Sequence, residues 1–184
     1  MKKLVAITGA TGFIGQTICQ QLVNAGYQVR ALVRNEARAT GLQQSGVELC
    51  AGSLEDLHSL EQLVAGVEAV VHCAGSVRGA TADEFDQVNV KGAKHLVDTL
   101  NAQNKSAALL VLSSLAAREP QLSFYAASKS KLEIMLQDQA KDLRWIALRP
   151  PAVYGPGDKE LLPLFRLMAK GIAPVPGSAD ARFS

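Results

Sequence analysis

The stretch TGATGFIG, residues 8–15, constrains this chain more than any other. It places Gly9, Gly12 and Gly15 between an apolar run, LVAI, and a segment with Ile14, Ile18 and Leu22 on one helical stripe. A glycine pattern alone says little, but between a strand and a helix it describes a turn that admits a pyrophosphate. Gly9 allows the tight turn, Gly12 lets the backbone approach the phosphates, and Gly15 lets helix and strand pack closely. The helix N-terminus adds amide donors and a partial positive charge. The candidate cradle is therefore Gly9, Thr11, Gly12, Phe13, Ile14 and Gly15.

The end of the second strand decides which dinucleotide suits the cradle. An NAD site carries an acidic residue there, bonded to the ribose 2′-hydroxyl. Here the chain reads VRALVRN, with Arg34 at that place and no carboxylate before Glu36. A guanidinium suits a 2′-phosphate through charge-assisted, bidentate hydrogen bonds. NADP(H) is expected, with NAD(H) as the alternative. Arg30 has the same sign but sits earlier on the strand.

Short apolar runs then alternate with amphipathic segments. The runs QVRALVR, VELCAG, VEAVVHCAG, SAALLVLSS and RWIALRP read as further strands. Gly26 is expected to end the first helix in a left-handed conformation. A helix over LEDLHSLEQLVAG turns Leu54, Leu57, Leu60, Leu63 and Val64 inward, and one long helix spans residues 83–101 with Phe85, Val88, Gly92, Leu96 and Leu100 in register. Another opens at Tyr125. Strands that are apolar throughout imply burial on both faces. The βα alternation predicts an α/β fold with a parallel, doubly wound sheet. After Pro150 the chain becomes rich in turn residues, PPAVYGPGD, followed by a short helix in ELLPLFRLMAKG. Residues 1–155 read as a dinucleotide-binding domain holding the catalytic residues, and 156–184 as the start of a substrate-binding lobe.

Composition narrows the setting. A chain of 184 residues suits one sizeable domain. A net charge of +2 makes no case for nucleic acid or an anionic membrane as partner. The apolar start is too short for an export segment, and no run approaches spanning length. Cys19, Cys50 and Cys73 lie far apart without metal-type spacing, which suits buried thiols in a reducing cytoplasm. His58, His72 and His95 are equally scattered, and structural roles are expected for them.

The stretch FYAASKSK places Tyr125 and Lys129 four residues apart, on one face of a helix. A free tyrosine, with a pKa of about 10, is almost wholly protonated at neutral pH. A neighbouring ammonium favours its anion, so the pair could exchange a proton with a carbonyl or alcohol oxygen. Together, TGATGFIG, HCAG, NVKGAKHLV, LVLSS, YAASK and LRPPAVYGPGD, in that order, resemble an extended short-chain dehydrogenase/reductase. That family of NAD(P)-dependent epimerases, dehydratases and reductases has a Rossmann fold. The resemblance implies a catalytic set of Ser114, Tyr125 and Lys129. Tyr is the general acid/base, Lys binds the nicotinamide ribose and favours the phenolate, and Ser orients the substrate oxygen; Ser113 is the weaker candidate for that last role. It further implies that Cys73, Ala74 and Gly75 line the adenosine side, that Asn89 lies near the phosphates, and that Pro150 and Val153 flank the carboxamide. Ser53, followed by Leu54, stands where the family often has an aspartate reading the adenine, so a charged contact is missing there. The resemblance also suggests a homodimer packed through residues 83–101 and 125–141, where Val90, Val97 and Ile134 fall outside the main apolar stripe.

Three functions compete: an NADP(H)-dependent oxidoreductase of a carbonyl or alcohol, a nucleotide-sugar epimerase, and a non-catalytic NADP-binding regulator or assembly protein. The complete Ser–Tyr–Lys set argues against the third. Ser114 is followed by LAAR, lacking both the acidic pair of the related dehydratases and the VYG of many epimerases, which favours the oxidoreductase. Family members continue well past this point, so most of the substrate lobe is expected to be missing from the chain.

Overall fold

The computed structural model describes residues 2–172. The chain runs β1 (Leu4–Thr8), α1 (Phe13–Asn24), β2 (Gln28–Val33), α2 (Thr40–Gln44), β3 (Glu48–Ala51), α3 (Leu57–Val64) and β4 (Ala69–His72). It continues through α4 (Ala82–Asp86), α5 (Gly92–Gln103), β5 (Ala108–Leu112), α6 (Phe124–Gln139), β6 (Arg144–Leu148) and α7 (Leu162–Met168). All strand pairs are parallel, in the order β3-β2-β1-β4-β5-β6. This is the expected doubly wound Rossmann sheet, and its order reverses between β1 and β4. In such sheets ligands bind outside the carboxyl ends of the strands at that reversal.

Two compact units are present, Met1–Pro151 and Ala152–Ser184. The first holds the whole sheet. On one face Ala6, Val70, Leu109 and Val111 pack with Leu60, Leu63, Leu96, Leu100, Leu132 and Leu136 of α3, α5 and α6. Each buried leucine there contributes roughly 1.5–3 kcal/mol. On the other, Ile7, Val29, Ala31 and Val33 pack with Ala10 and Cys19. In the second unit, Asp158 accepts from the amide of Glu160 at 2.8 Å, and Tyr154 meets Phe165 edge-on with ring centroids 5.6 Å apart. No helix among the described residues is long and apolar enough to cross a membrane.

Gly26 ends α1 as its type suggests, at φ +86°, with its N–H bonded to Val23 O at 2.9 Å and that of Tyr27 to Leu22 O at 3.0 Å. Arg30 is structural: its guanidinium pairs with Glu48 at 2.7 Å and donates to the carbonyls of Gln62 and Ala65, both at 2.9 Å, closing the end of α3 onto β2.

Four details depart from the sequence reading. Leu57 is exposed, because α3 begins at that residue, just after its cap Asp56. The long helix over residues 83–101 is interrupted by a wide π-helical turn, Gln87–Lys91, between α4 and α5. Within it Asn89 is 0% exposed while Val88 faces out. Val97 is also in the core at 1% exposure and Val90 packs against it, so of the three apolar residues assigned to self-association Ile134 alone is exposed. Lastly, β6 is not buried on both faces. Trp145 and Ala147 pack inward, whereas Ile146 and Leu148 are exposed, Ile146 in an apolar groove of about 550 Å³ also lined by Leu22, Tyr27, Val71 and Leu110.

Candidate active site

The turn after β1 is shaped by contacts that leave no room for side chains. Gly9 adopts φ +71°, and a Cβ on it would come within 2.5 Å of the Ala74 nitrogen. A Cβ on Gly15 would land on the Gly9 carbonyl oxygen. Gly12 caps α1 in an extended conformation, no side chain bonds the first amides of the helix, and no acidic residue occupies its first turn. The amide of Gly12 is held by Gly9 O at 3.0 Å. Thr11 is exposed, and Phe13 and Ile14 are half-buried.

This turn is joined to the end of β4. Thr8 Oγ1 lies 2.8 Å from His72 Nδ1 and accepts from the amide of Ala74 at 3.3 Å. Residues 73–75, which include Cys73 and Gly75, thus border the glycine turn. His72 is 1% exposed, and burial, helped by the charge of Lys129, pushes its pKa down to about 3. It is a neutral strut, with Nε2 unpartnered among the described residues. Burial pushes the Cys73 thiol up to about 12, so it too is neutral.

Arg34 is exposed directly after β2, and the capped turn that follows carries a second exposed guanidinium, Arg38, that the sequence reading did not single out. Ser53 follows the neighbouring strand, and the amide of Gly52 bonds Val33 O at 3.0 Å, tying the two strand ends together. The Ser53 hydroxyl accepts from the Glu55 amide at 3.2 Å, and Leu54 packs on Gly92, where a Cβ would come 2.7 Å from its Cδ1.

Helix α6 opens at Ser123, whose hydroxyl accepts from the Ala126 amide at 3.0 Å. This fixes Tyr125 in the first turn, half-buried and edge-on to Phe85 with ring centroids 6.2 Å apart. One turn on, Lys129 is 5% exposed and donates from Nζ to Leu112 O at 2.9 Å. A Cβ on Gly75 would lie 3.3 Å from that Nζ and 3.0 Å from Asn89 Oδ1, so strand end, asparagine and ammonium meet. Burial lowers the Lys129 pKa to about 8, opposed by the Glu133 carboxylate, while the Cys73 thiol, neutral up to about 12, carries no charge there to oppose it.

Asn89 was expected beside the phosphates. Its Oδ1 accepts from the Ser76 amide at 2.7 Å, while Nδ2 donates to Ser76 O at 3.0 Å and to Ser128 Oγ at 2.9 Å. Its polar atoms are engaged by the protein, and it pins the loop after β4 to α6. The two serines after β5 differ sharply. Ser113 is 4% exposed and donates to Glu133, whereas half-buried Ser114 caps the turn Leu115–Arg118, accepting from the Ala116 amide at 3.2 Å. The amide of Leu115 bonds Pro150 O at 3.0 Å, holding that segment alongside. Val153 is exposed and lies in the second unit. The Glu133–Arg149 pair escaped the sequence reading, although Glu133 follows Lys129 by the same four residues that separate Lys129 from Tyr125.

Residues 9–162 match a family described as NAD(P)H-binding. The ceramide reductase of Caulobacter vibrioides is 41% identical, over 91% of this chain and 51% of its own length. A 2-alkyl-3-oxoalkanoate reductase of Shewanella oneidensis is 31% identical, over 90% of this chain and 48% of its own. The chain spans about half the length of the curated relatives it matches. Among solved structures, Bordetella bronchiseptica WbmH in complex with NAD+ superposes with a TM-score of 0.76 at 24% identity, over 94% of this chain and 64% of that one. That likeness is one of fold.

Proposed function

Because the chain belongs to the NAD(P)H-binding family, among proteins of the extended short-chain dehydrogenase/reductase type, we propose that it carries the cofactor site and proton-transfer residues of an NADP(H)-dependent oxidoreductase acting on a carbonyl or its alcohol. The observation that carries this reading is Lys129, an ammonium buried against Leu112 O and Gly75, one helical turn from Tyr125. The glycine turn fits the cofactor: its bare helix amides suit a pyrophosphate, and a Cβ at Gly9 or Gly15 would collide with backbone and break the turn that presents them.

When bound, the nicotinamide cofactor supplies or accepts the hydride. The amides of Phe13 and Ile14 would hold the phosphates, and Arg34 would take a 2′-phosphate. Lys129 binds ribose hydroxyls, and its charge stabilises the phenolate that Tyr125 leaves behind on giving its proton to the carbonyl oxygen. Ser114, with its hydroxyl hydrogen unspent, donates to that oxygen and orients it. Asn89 acts one step back, fixing Ser76 and α6 around Lys129.

The relatives named ceramide reductase and 2-alkyl-3-oxoalkanoate reductase favour a carbonyl compound bearing alkyl chains over a nucleotide sugar. The LAAR run directly after Ser114, where many epimerases carry VYG, points the same way. With a panel of long-chain ketones and 3-oxoacyl compounds, Tyr125→Phe should retain NADPH binding and lose most turnover. Near-normal turnover would place the proton donor elsewhere.

A further inference from the structure

Behind Lys129, one turn further along α6, lies Glu133, 8% exposed. Its carboxylate accepts from Ser113 Oγ and from Arg149, whose Nε lies 2.9 and 3.1 Å from the two oxygens and whose Nη2 donates to Oε2. Ser113 follows Leu112, the acceptor of Lys129 Nζ, and precedes Ser114. Two consecutive residues at the end of β5 are thus bonded to two α6 residues one turn apart. Arg149 joins the same carboxylate to the end of β6, where the Ser113 amide also bonds Leu148 O at 2.8 Å. Glu133 is buried while the Arg149 side chain is 45% exposed, and a buried charge is a weak source of stability, since an apolar residue of similar volume often does as well. Its charge therefore calls for a reason.

We propose that Glu133 is a positioning residue: it clamps the strand end bearing Ser114 onto α6 and sets a negative charge beside the Lys129 ammonium. The other titratable groups around Lys129 cannot supply that charge. His72 and Cys73, at the end of β4, are both neutral at physiological pH. Burial opposes ionisation of Glu133, but the hydrogen bonds from Arg149 and Ser113 outweigh it and hold the carboxyl below its ordinary range. Glu133 thus keeps Lys129 protonated against the pull of burial, while Arg149 neutralises the excess. The catalytic meaning rests on the oxidoreductase reading; the electrostatic coupling does not.

The test is an NMR titration of the 184-residue chain labelled with 13C-lysine, with the Lys129 Cε signal assigned by its loss in Lys129→Met. Glu133→Gln keeps the shape and can still accept from Ser113, and should lower the Lys129 midpoint by about one pH unit. Arg149→Met breaks the same ion pair while leaving the carboxylate, and should raise it. Structural damage would move both variants alike, so shifts of one sign, or none, overturn the proposal. Should Glu133→Gln not fold, the Glu133→Gln/Arg149→Met double variant buries no unpaired charge and should still lower the midpoint; an unchanged one overturns the proposal equally. In turnover, the alkaline limb of kcat/KM should move with the midpoint. Normal turnover by Tyr125→Phe would defeat the oxidoreductase reading and leave the titration result standing.

Discussion

Lys129 is held in a place that disfavours its charge. In the unfolded chain it titrates near 10.5, and in the fold near 8. The cost is complete below about pH 8 and fades as pH rises towards the unfolded value, and the fall corresponds to roughly 3 kcal/mol at neutral pH. Lys129→Met should therefore stabilise the cofactor-free chain at pH 7 by about 1–2 kcal/mol after loss of the Leu112 hydrogen bond. Urea unfolding showing a less stable variant would refute this account. His72 works in the acid range. Its folded pKa, about 3, lies below the unfolded 6.5, so the unfolded chain binds the extra proton and stability falls as pH drops below 6.5. The slope approaches roughly 1.4 kcal/mol per pH unit and levels off near pH 3. His72→Asn should flatten the melting temperature between pH 6.5 and 5 relative to the parent. At Arg34, NADPH should bind the 184-residue chain at least about tenfold more tightly than NADH in a fluorescence titration, a preference lost in Arg34→Ala. Equal affinities in the parent would assign the 2′-phosphate to another group or to none. The spacing of Tyr125 and Lys129 was readable because it is local. The expectation of Ser114 over Ser113 rested on family resemblance, and the engagement of Ser113 by a carboxylate 20 residues away in sequence was not legible there.

The elements that read most clearly were those whose pattern repeats: the glycine turn, the apolar strands and α1 with its Gly26 stop. Residues 83–101 read as one helix because apolar periodicity does not register an inserted residue. The π turn Gln87–Lys91 exchanges Val88 for Asn89 on the inward face, and such widened turns recur at functional sites. Asn89→Ala should cost about 3 kcal/mol, since it leaves the Ser76 backbone and the Ser128 hydroxyl short of partners in a buried place. Chemical unfolding would measure that loss, and a cost under about 1 kcal/mol would mean water replaces the amide freely. The covered strands also read correctly, but β6 did not. Its run of apolar residues is the same whether or not a layer lies over both faces, and only the three-dimensional arrangement reveals the groove at Ile146.

At the scale of the molecule, that groove leaves apolar surface uncovered among the described residues. Exposed apolar patches beside a sheet edge favour association. Ile146→Lys should suppress concentration-dependent self-association in sedimentation velocity more than Ile134→Lys on α6 does. The reverse ranking would restore the helix-packed homodimer that the family resemblance suggests. The doubly wound order itself followed from strand–helix alternation, whereas the closeness of Gly9 to Ala74 did not, because nothing local records a contact between distant segments. That contact has a consequence for how the protein comes into being. Thr8 and Ala74 bond across 66 residues of chain, so the phosphate cradle is a product of long-range closure rather than of the glycine motif. Closing a loop of that length costs roughly 4 kcal/mol of chain entropy, recovered only when β1 and β4 dock. During synthesis the glycines emerge long before the strand that completes their site. A nascent chain therefore carries the motif well before it can hold a dinucleotide, and the cofactor reports only on chains whose sheet has already assembled across its centre.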